Sequence, residues 1–419
     1  MRLTHLHIQN FRAFESVSLT DLHPAVNVVV GVNGTGKTAL LEAARLFLSG
    51  IYSELDKHVN KIVMSAILED DVRLANLEVQ YPTCIRGEVF LDAHLLPEGK
   101  AVWERLLERH GGKTKFGESR GKAAKALSRN IQSIIRQGVE QAVPLVAYYS
   151  TDRYKKEKKN TGLEADGSRL RGYYNALDSQ TNTWFFLNLI RTETLAELQE
   201  GRPSEILRLV YEAIQSCIPG CISLKHHLKK DCLIITFSDG RQLPFNALSD
   251  GVRHVLSLVM ELALRAYLLN PYLGVEAARN TPGVVLIDEI DLHLHPEWQL
   301  HIVQDLVNVF PKLQFIVTTH APLVLNSLKE GRIYSISDNQ VYDFPRQYTR
   351  PTDDILRDMQ VNLALDEAIN RYRLLIENGQ GRSPEALALR QMLEERLGAN
   401  HEELRMADIM LQLFDAAQS

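Results

Sequence analysis

The sequence predicts an α/β fold, in which helices cover a mixed central sheet and a helical region follows toward the C-terminus. The β-branched run Ala25–Val30 leads directly into a glycine-rich loop and then into a segment with helical spacing. Two later runs, Val284–Ile287 and Gln314–Thr318, have the apolar composition of buried parallel strands. A strand, a glycine-rich loop and a helix in this order open a P-loop nucleotide-binding fold.

Further elements are predicted where apolar or alternating segments end at turn residues. Ala247–Leu269 has the pattern of a turn followed by a long apolar helix. The additional strands are expected at Leu3–Ile8, Val143–Tyr149, Leu233–Gln242, Arg332–Ile336 and Gln340–Phe344. The last two of these form a closing hairpin.

The chain is expected to divide into a large head and a smaller helical region. The predicted regions are a head over 1–350, mostly helical insertions in it at about 93–140 and 152–215, and a C-terminal helical region over 351–419. Within that last region, Ser383 followed by Pro384 is a typical capped helix start. The C-terminal helices either pack against the head or present a docking surface for a partner.

Composition and length are ordinary for a soluble globular protein. The chain has 419 residues, of which 45% are hydrophobic and 24% are charged. No apolar run approaches the roughly 18 residues that a membrane-spanning helix needs. The first residues have the pattern of a strand rather than of a signal peptide. A cytoplasmic location without membrane association is therefore expected.

The four cysteines are too few for a disulfide framework, and reduced thiols are expected. Cys217, Cys221, His226 and Cys232 loosely imitate a zinc knuckle, but their intervals do not fit one. Buried or half-buried thiols are the simpler interpretation of these residues.

Positive charge is concentrated in one part of a chain whose formal net charge is −5. Residues 101–137 contain nine basic and three acidic side chains, and a second basic cluster lies at 153–159. Such clusters attract the phosphate backbone of a nucleic acid, and they are equally typical of solvated helix faces. Contact with DNA is therefore an open alternative.

The glycine-rich loop Gly31–Thr38 has the complete G-x-x-x-x-G-K-[ST] pattern of a Walker A motif. Its glycines let backbone N–H groups face phosphates, and the following helix adds the positive end of its dipole. Lys37 is expected to reach the β- and γ-phosphates of ATP, and the hydroxyl of Thr38 to bind Mg²⁺. The predicted nucleotide-binding residues of the loop are Asn33, Gly34, Thr35, Gly36, Lys37 and Thr38.

The apolar run Val284–Ile287 ends in two acidic residues, which is the Walker B pattern. Asp288 is expected to hold Mg²⁺, and Glu289 is expected to polarise the water that attacks the γ-phosphate. Phosphoryl transfer depends mainly on positioning and on charge neutralisation. A carboxylate placed at the attacking water is therefore the catalytic group that such a site needs.

Five segments together resemble the SMC/RecF-like ABC ATPases, the DNA-associated branch of that class. They are NFRAFES, GVNGTGKT, LSDGVR, VVLIDEIDLHLHPEWQ and FIVTTHAPLVL, and the resemblance covers roughly residues 1–92 and 230–345. Members of this branch have a P-loop ABC-type head, and two heads enclose two ATP molecules. The resemblance therefore implies a homodimer or higher homo-oligomer formed through ATP-sandwiched heads.

The same resemblance assigns roles outside the Walker motifs. His320, which follows FIVTT, would sense the γ-phosphate and support the attacking water. Ser249 and Gly251 of the signature loop LSDG would contact the γ-phosphate held by the other copy. Arg12 would line the nucleotide site. The resemblance thus implies three catalytic residues, namely Lys37, Glu289 and His320.

Two departures and one ambiguity accompany the resemblance. Tyr149, Ser150 and Thr151 stand where family members carry the Q-loop glutamine. Asp250 replaces the glycine that is common in transporter signatures, and its carboxylate is expected to face away from phosphate. Asp291 falls at the D-loop, where the nearby residues His293 and His295 are interpreted as parts of a turn rather than as metal ligands.

A narrower resemblance spans most of the chain. The segments PLVAYYSTDR, YYNALDSQTNTWFFLNLIRTETLAELQEG, LLNPYL and TPGVVLIDEIDLHLHPEWQ are similar to the PtuA-type ATPase subunit of Septu antiphage systems, including those attached to retrons. In that family the ATPase assembles with an HNH endonuclease. The resemblance implies an ATPase that regulates such a partner in antiphage defence.

A RecF-like repair ATPase that binds DNA without a nuclease partner is the main alternative. A transporter motor does not fit a chain without a membrane-spanning run. An OLD-type nuclease does not fit either, because the residues after Pro351 have helical patterns and no strand-borne acidic cluster. Intrinsic nuclease activity is therefore not expected.

Overall fold

The computed structural model describes most of the head and parts of the C-terminal region. The described residues are 1–32, 34–56, 62–117, 121–151, 168–178, 183–326 and 328–344, followed by 368–369, 371–372, 375–376, 380–397, 404 and 411. The chain divides into two compact units, Met1–Arg346 and Gln347–Ser419. The division lies close to the expected head boundary at residue 350.

The described residues begin with three strands, and α1 is the first helix, directly after the glycine-rich loop. The strands are β1 Arg2–Phe11, β2 Phe14–Leu19, β3 Val26–Val30, β4 Leu74–Ala75, β5 Glu78–Val79, β6 Thr83–Phe90, β7 Lys100–Leu107, β8 Lys115–Phe116, β9 Leu145–Tyr149, β10 Cys221–His227, β11 Cys232–Phe237, β12 Gln242–Pro244, β13 Gly283–Ile287, β14 Leu313–Thr319, β15 Arg332–Ser337 and β16 Gln340–Phe344.

The helices vary from one turn to more than five turns. The α-helices are α1 Lys37–Leu48, α2 Gly121–Arg136, α3 Thr183–Glu200, α4 Glu205–Cys217, α5 Asp250–Leu269, α6 Ala277–Asn280, α7 Pro296–Gln299, α8 Ile302–Val309, α9 Pro322–Asn326 and α10 Pro384–Leu397. Short 3₁₀ helices lie at Ser49–Tyr52, Glu69–Asp71, Arg169–Tyr173, Phe245–Ala247 and Pro271–Glu276.

A six-stranded mixed sheet forms the centre of the head, in the order β16-β15-β3-β14-β13-β9. Its strands are parallel except for the β15–β16 hairpin. Every residue of β3, β13 and β14 is buried, as expected for strands covered on both faces. Because these three strands are parallel neighbours, the segments that follow Val30, Ile287 and Thr319 meet at one edge. The sheet confirms the predicted α/β fold class.

A second, antiparallel sheet has the order β2-β1-β6-β7-β8, and it corrects one expectation. Residues 93–140 were expected to be mostly helical, but Lys100–Leu107 is a strand with alternating burial, and only α2 is helical in the described part of this segment. The cause is its pairing with β6, which buries Trp103 and Arg105 on one face. Strand pairing of this kind depends on a partner that is distant from the local pattern.

Helix α1 packs between the two sheets. The ring of Trp103 from β7 stacks on Phe47 of α1, with centroids 4.4 Å apart, and its indole N–H donates to the Phe47 carbonyl at 2.9 Å. Truncating a buried aromatic side chain of this kind costs about 3–5 kcal/mol. This packing fixes α1, and with it the loop from which the helix begins.

The second predicted insertion, 152–215, contains two described helices, α3 and α4, while its residues 152–167 and 179–182 lie outside the described residues. The Ser204 hydroxyl caps α4 by accepting a hydrogen bond from the Leu207 amide at 3.4 Å. Helix α4 packs against the long helix α5, whose Arg265 forms a buried ion pair with Glu261 at 2.7 Å.

The C-terminal unit has a buried cluster of its own. The cluster consists of Ala368, Tyr372, Ile376, Ala386, Leu393 and Leu404. Helix α10 begins at the predicted Pro384, and the amide of Ala386 donates to the Ser383 hydroxyl at 3.2 Å. The expected capped start is therefore confirmed, and Ala386 and Leu393 of this helix pack within the C-terminal unit.

Candidate functional site

The glycine-rich loop joins the end of β3 to the start of α1. Gly34 and Gly36 have φ angles of 87° and 101°, in the left-handed region that favours glycine. A Cβ atom on Gly36 would lie 2.7 Å from the ring of Phe14, so glycine is also required there by packing. The described loop residues Thr35, Gly36, Lys37 and Thr38 lie at the start of α1, where the sequence predicts them. Asn33 lies outside the described residues.

Lys37, the first residue of α1, turns its ammonium group back over this loop. Its Nζ donates to the carbonyl oxygens of Gly31 and Val32 at 2.9 and 2.7 Å. Burial lowers the pKa of Lys37 to about 8, an effect that the carboxylates of Asp288, Glu289 and Asp291 partly offset. At neutral pH the ammonium is therefore charged, and it lies directly over the loop carbonyls.

The pKa of Lys37 predicts a pH-dependent affinity for nucleotide. Phosphate binds the charged form, so the dissociation constant of ATP should rise as pH passes through about 8. The expected rise is about tenfold between pH 7 and pH 9, whereas a lysine with an ordinary pKa would give none. Titration of a fluorescent ATP analogue checks this, with Lys37→Ala as the control whose residual binding should not change. A constant affinity up to pH 9 would contradict the prediction.

Asp288 lies at the carboxyl end of β13 and is 1% exposed. Its two carboxylate oxygens accept hydrogen bonds from two hydroxyls, one from Thr38 at 2.8 Å and one from Thr318 at 2.6 Å. The structure therefore brings together the Walker A threonine and the Walker B aspartate, which are 250 positions apart in the chain. Their oxygens are the hard ligands that Mg²⁺ prefers.

Glu289 and His320 face each other beside this pair. The His320 Nε2 lies 3.7 Å from the Glu289 Oε1, and both side chains are about one-third exposed. Glu289 has a φ of 47°, in the left-handed region, just after the end of β13. Burial and the charge of Lys37 lower the pKa of His320, so its imidazole is neutral at pH 7. A solvent-accessible carboxylate with a neutral imidazole can orient a water molecule.

The signature loop packs on the D-loop of the same chain. Gly251, in the first turn of α5, is so close to this segment that a Cβ atom would lie 2.5 Å from the His293 carbonyl oxygen. The rings of His254 and His293 also lie against each other, with centroids 5.2 Å apart. The interpretation of His293 as part of a turn is consistent with its φ of 59°.

Ser249 is exposed at the N-terminus of α5, and its side chain makes no capping hydrogen bond. Within the described ranges, no hydrogen bond joins it to Lys37, Asp288 or Glu289 of its own chain. The carboxylate of Asp250 is bound to Arg253 of the same helix. This ion pair is consistent with the expectation that the Asp250 carboxylate faces away from phosphate.

Arg12 occupies the tip between β1 and β2. Its guanidinium donates to the Asp71 carboxylate at 2.8 and 2.9 Å. The ring of Phe14, two residues further on, packs on Gly36 of the phosphate loop. The turn between β1 and β2 is thus next to the phosphate loop, while the guanidinium of Arg12 is hydrogen-bonded to the Asp71 carboxylate.

Sequence reasoning missed several residues that hold this site. Thr318 and Thr319 are fully buried, and their hydroxyls bond to Asp288 and Asp291 respectively, the latter at 2.5 Å. Phe14 and Asp71 were missed as well. The sequence held one signal for the two threonines, because this polar pair ends an apolar strand directly before His320.

Comparisons with known proteins agree with this arrangement. A family model described as "AAA domain" matches residues 5–215, half of the chain, and a second AAA-domain model matches 157–326. The protein named "Retron Vc95 probable ATPase" of Vibrio cholerae serotype O1 biovar El Tor is 25% identical, over 81% of this chain and 74% of that protein. Septu protein PtuA of Bacillus thuringiensis is 23% identical, over 81% of this chain and 77% of that protein.

Among solved structures, the SMC head bound to the C-terminal winged-helix domain of ScpA matches with a TM-score of 0.51. The match covers 84% of this chain and 100% of that one at 17% identity, which supports the fold. Among the described residues, no helix is long and apolar enough to cross a membrane. The chain belongs to the AAA-domain family, and it is an SMC/RecF-like ATPase related to PtuA.

Proposed function

We propose that the chain hydrolyses ATP at the site built by Lys37, Thr38, Asp288, Glu289 and His320. The observation that carries this proposal is the convergence of these side chains at one edge of the central sheet. Lys37 binds the β- and γ-phosphates, and Glu289 takes a proton from the attacking water. His320, neutral at pH 7, fixes the orientation of that water from the opposite side.

The residues around Asp288 fit a bound magnesium ion. The oxygens of Asp288 and Thr38 are 2.8 Å apart and belong to the class of ligand that Mg²⁺ takes. These two residues would hold the ion, which supplies charge neutralisation for the phosphate oxygens when it is bound. Thr38 itself is exposed at the start of α1, directly after the glycine-rich loop.

The signature residues Ser249 and Gly251 act on the nucleotide of a second copy. In its own chain Gly251 packs on the D-loop, and the first turn of α5, where Ser249 is exposed, has backbone N–H groups that can face an anion. The site is therefore completed by a head-to-head dimer, in which each copy contributes one signature loop. A larger homo-oligomer can be built from the same pair.

Ser249→Arg is expected to abolish steady-state ATP hydrolysis. The nucleotide affinity of the isolated chain should stay within about threefold of wild type, because the substitution does not change the phosphate loop that binds the nucleotide in the same chain. The matched control is Ser216→Arg, which adds the same charge at an exposed position of α4. Turnover and equilibrium nucleotide binding are measured on all three proteins. An equal loss of binding and hydrolysis would contradict a site shared between copies.

The ATPase serves antiphage defence by regulating a partner HNH endonuclease. Support comes from the similarity to Septu protein PtuA and to a retron ATPase, because each alignment covers 81% of this chain. Similarity on this scale extends beyond the nucleotide-binding motifs. Fold alone does not determine the partner, so the role in defence requires its own experiment.

The test is a pull-down of the tagged chain after co-expression with its genomic neighbours, with wild type and Lys37→Ala compared in parallel. Recovery of an HNH protein whose DNA cutting changes with ATP in wild type, and not in Lys37→Ala, would support the proposal. Recovery of the chain without a nuclease would contradict it, as would a nuclease whose cutting ignores ATP.

A RecF-like DNA-binding ATPase is the second candidate, and the surface of α2 is the observation that favours it. The exposed side chains of Lys122, Lys125, Arg129 and Arg136 follow one face of this helix. Two of them are partly neutralised, since Arg136 pairs with Asp56 at 2.8 Å and Arg129 lies 3.9 Å from Glu54. Arg105, counted in the same basic segment, is buried and does not contribute.

The two candidates differ in how the isolated chain binds DNA. A repair ATPase of this kind would bind duplex DNA tightly by itself, with an affinity that falls steeply as salt increases. The defence proposal requires no such affinity without the partner.

A further inference from the structure

The last two residues of β14, Thr318 and Thr319, lie fully buried between the Walker B segment and the D-loop. The hydroxyl of Thr318 donates to the Asp288 Oδ1 at 2.6 Å and accepts from the Glu289 amide at 2.7 Å. One hydroxyl therefore contacts both acidic residues of the Walker B motif. A threonine hydroxyl has one proton and two lone pairs, so these two bonds use its single donor and one acceptor.

The backbone of Glu289 needs such support. A φ of 47° places this residue in the left-handed region, which costs roughly 1–2 kcal/mol for a residue with a Cβ atom. Two bonds to Thr318 hold it there. The Glu289 amide donates to the Thr318 hydroxyl, and the following Ile290 amide donates to the Thr318 carbonyl oxygen at 3.0 Å. Only the first of these bonds depends on the side chain.

The neighbouring Thr319 does not duplicate this contact. Its hydroxyl donates to the Asp291 Oδ1 at 2.5 Å and accepts from the Ala321 amide at 3.0 Å. Adjacent strand residues point to opposite faces, so the two hydroxyls serve different segments. The contact with Asp288 and Glu289 belongs to Thr318.

We propose that Thr318 is a positioning residue for ATP hydrolysis, whose hydroxyl fixes the Asp288 carboxylate and the backbone that carries Glu289. The inference rests on the proposed role of Glu289 as the group that polarises water. Without the hydroxyl, the Glu289 amide loses this acceptor, and the left-handed backbone at Glu289 loses one of the hydrogen bonds that hold it. Thr318 itself touches neither water nor phosphate in this account.

The test uses Thr318→Val, which keeps the shape of the side chain and removes only the hydroxyl. The expected result is a fall in kcat of about 10- to 100-fold, the usual effect of removing a group that orients a ligand or a catalytic side chain. ATP affinity should stay within about twofold, because no ground-state contact with nucleotide is lost. Thr318→Ser, which restores the hydroxyl, should recover at least about half of the wild-type kcat on the same argument.

A second readout does not depend on activity. Hydrogen exchange of the Glu289 amide should be faster in Thr318→Val than in wild type or Thr318→Ser, because its acceptor is gone. Thr281→Val is the matched control. Thr281 is also a buried threonine with a bonded hydroxyl, accepting from Asn270 at 3.0 Å, and it lies outside the site. This control should lose stability without losing turnover.

The outcomes distinguish a failure of the inference about Thr318 from a failure of the proposed role of Glu289. If Glu289→Gln is inactive while Thr318→Val keeps the wild-type kcat and exchange rate, the inference about Thr318 is wrong and the role of Glu289 stands. If Glu289→Gln is fully active, the proposed catalytic role fails first. If Thr318→Val does not fold, Thr318→Cys replaces it against Thr318→Ser, and equal kcat values for those two variants would overturn the inference.

Discussion

Glu289→Gln is expected to lower the kcat of ATP hydrolysis by about 10²–10⁴-fold, which is the range contributed by a positioned general base. The amide keeps the size of the side chain but cannot accept the proton of the attacking water. Binding should be preserved, because Lys37 and the phosphate loop are unchanged. The measurement is steady-state phosphate release, together with the amount of ATP that remains bound after gel filtration.

The control for this substitution is Glu297→Gln. Glu297 is an exposed acidic residue of the short helix α7. Its substitution removes the same charge outside the site. Its turnover should match wild type. Hydrolysis by Glu289→Gln at the wild-type rate would show that the catalytic carboxylate has been assigned to the wrong residue.

Lys37→Ala is expected to weaken ATP binding by about 10- to 100-fold, the loss associated with hydrogen bonds to a charged group. The side chain is the only cation of the described residues that bonds to the loop carbonyls of Gly31 and Val32. Removing it leaves the backbone N–H groups without the fixed positive charge that balances the γ-phosphate. Equilibrium titration with a fluorescent ATP analogue measures the effect.

Lys312→Ala, which removes an exposed positive charge just before β14, is the matched control and should bind ATP as wild type does. Thermal unfolding of both variants shows whether the loop substitution acts on binding or on the fold. Unchanged ATP affinity in Lys37→Ala would contradict the assignment of the phosphate loop.

Local sequence patterns were sufficient to predict the phosphate loop and the Walker B strand, because each is short and its chemistry is fixed by residue type. Gly36 illustrates the reason, since its left-handed φ and its contact with Phe14 both exclude a side chain. The order of β3, β14 and β13 then follows from parallel pairing of buried strands.

Strand β7 could not be predicted in the same way. Its sequence KAVWERLL carries three charged residues, and the turn residues Pro97 and Gly99 before it can precede a helix as well as a strand. Its alternating residues form a strand only because β6 pairs with it. This pairing buries Arg105 against Phe116 and the Ser65 carbonyl oxygen. The local pattern has no information about such a distant partner.

The threonines that hold the site were missed for a related reason. In the sequence, Thr318 and Thr319 are typical strand residues, and their roles depend on which hydroxyl meets Asp288 and which meets Asp291. That distinction requires the relative positions of two strands and a loop. Only the structure provides these positions.

The most direct test of a site shared between two copies is a mixing experiment with two inactive variants, Ser249→Arg and Glu289→Gln. If each site is completed by the other copy, a mixed dimer pairs an intact Glu289 from one chain with an intact signature loop from its partner. The mixture should recover ATP turnover, up to roughly a quarter of wild type for random two-fold pairing. Turnover that stays at the level of the separate variants, under conditions where mixed dimers form, would contradict a site shared between copies.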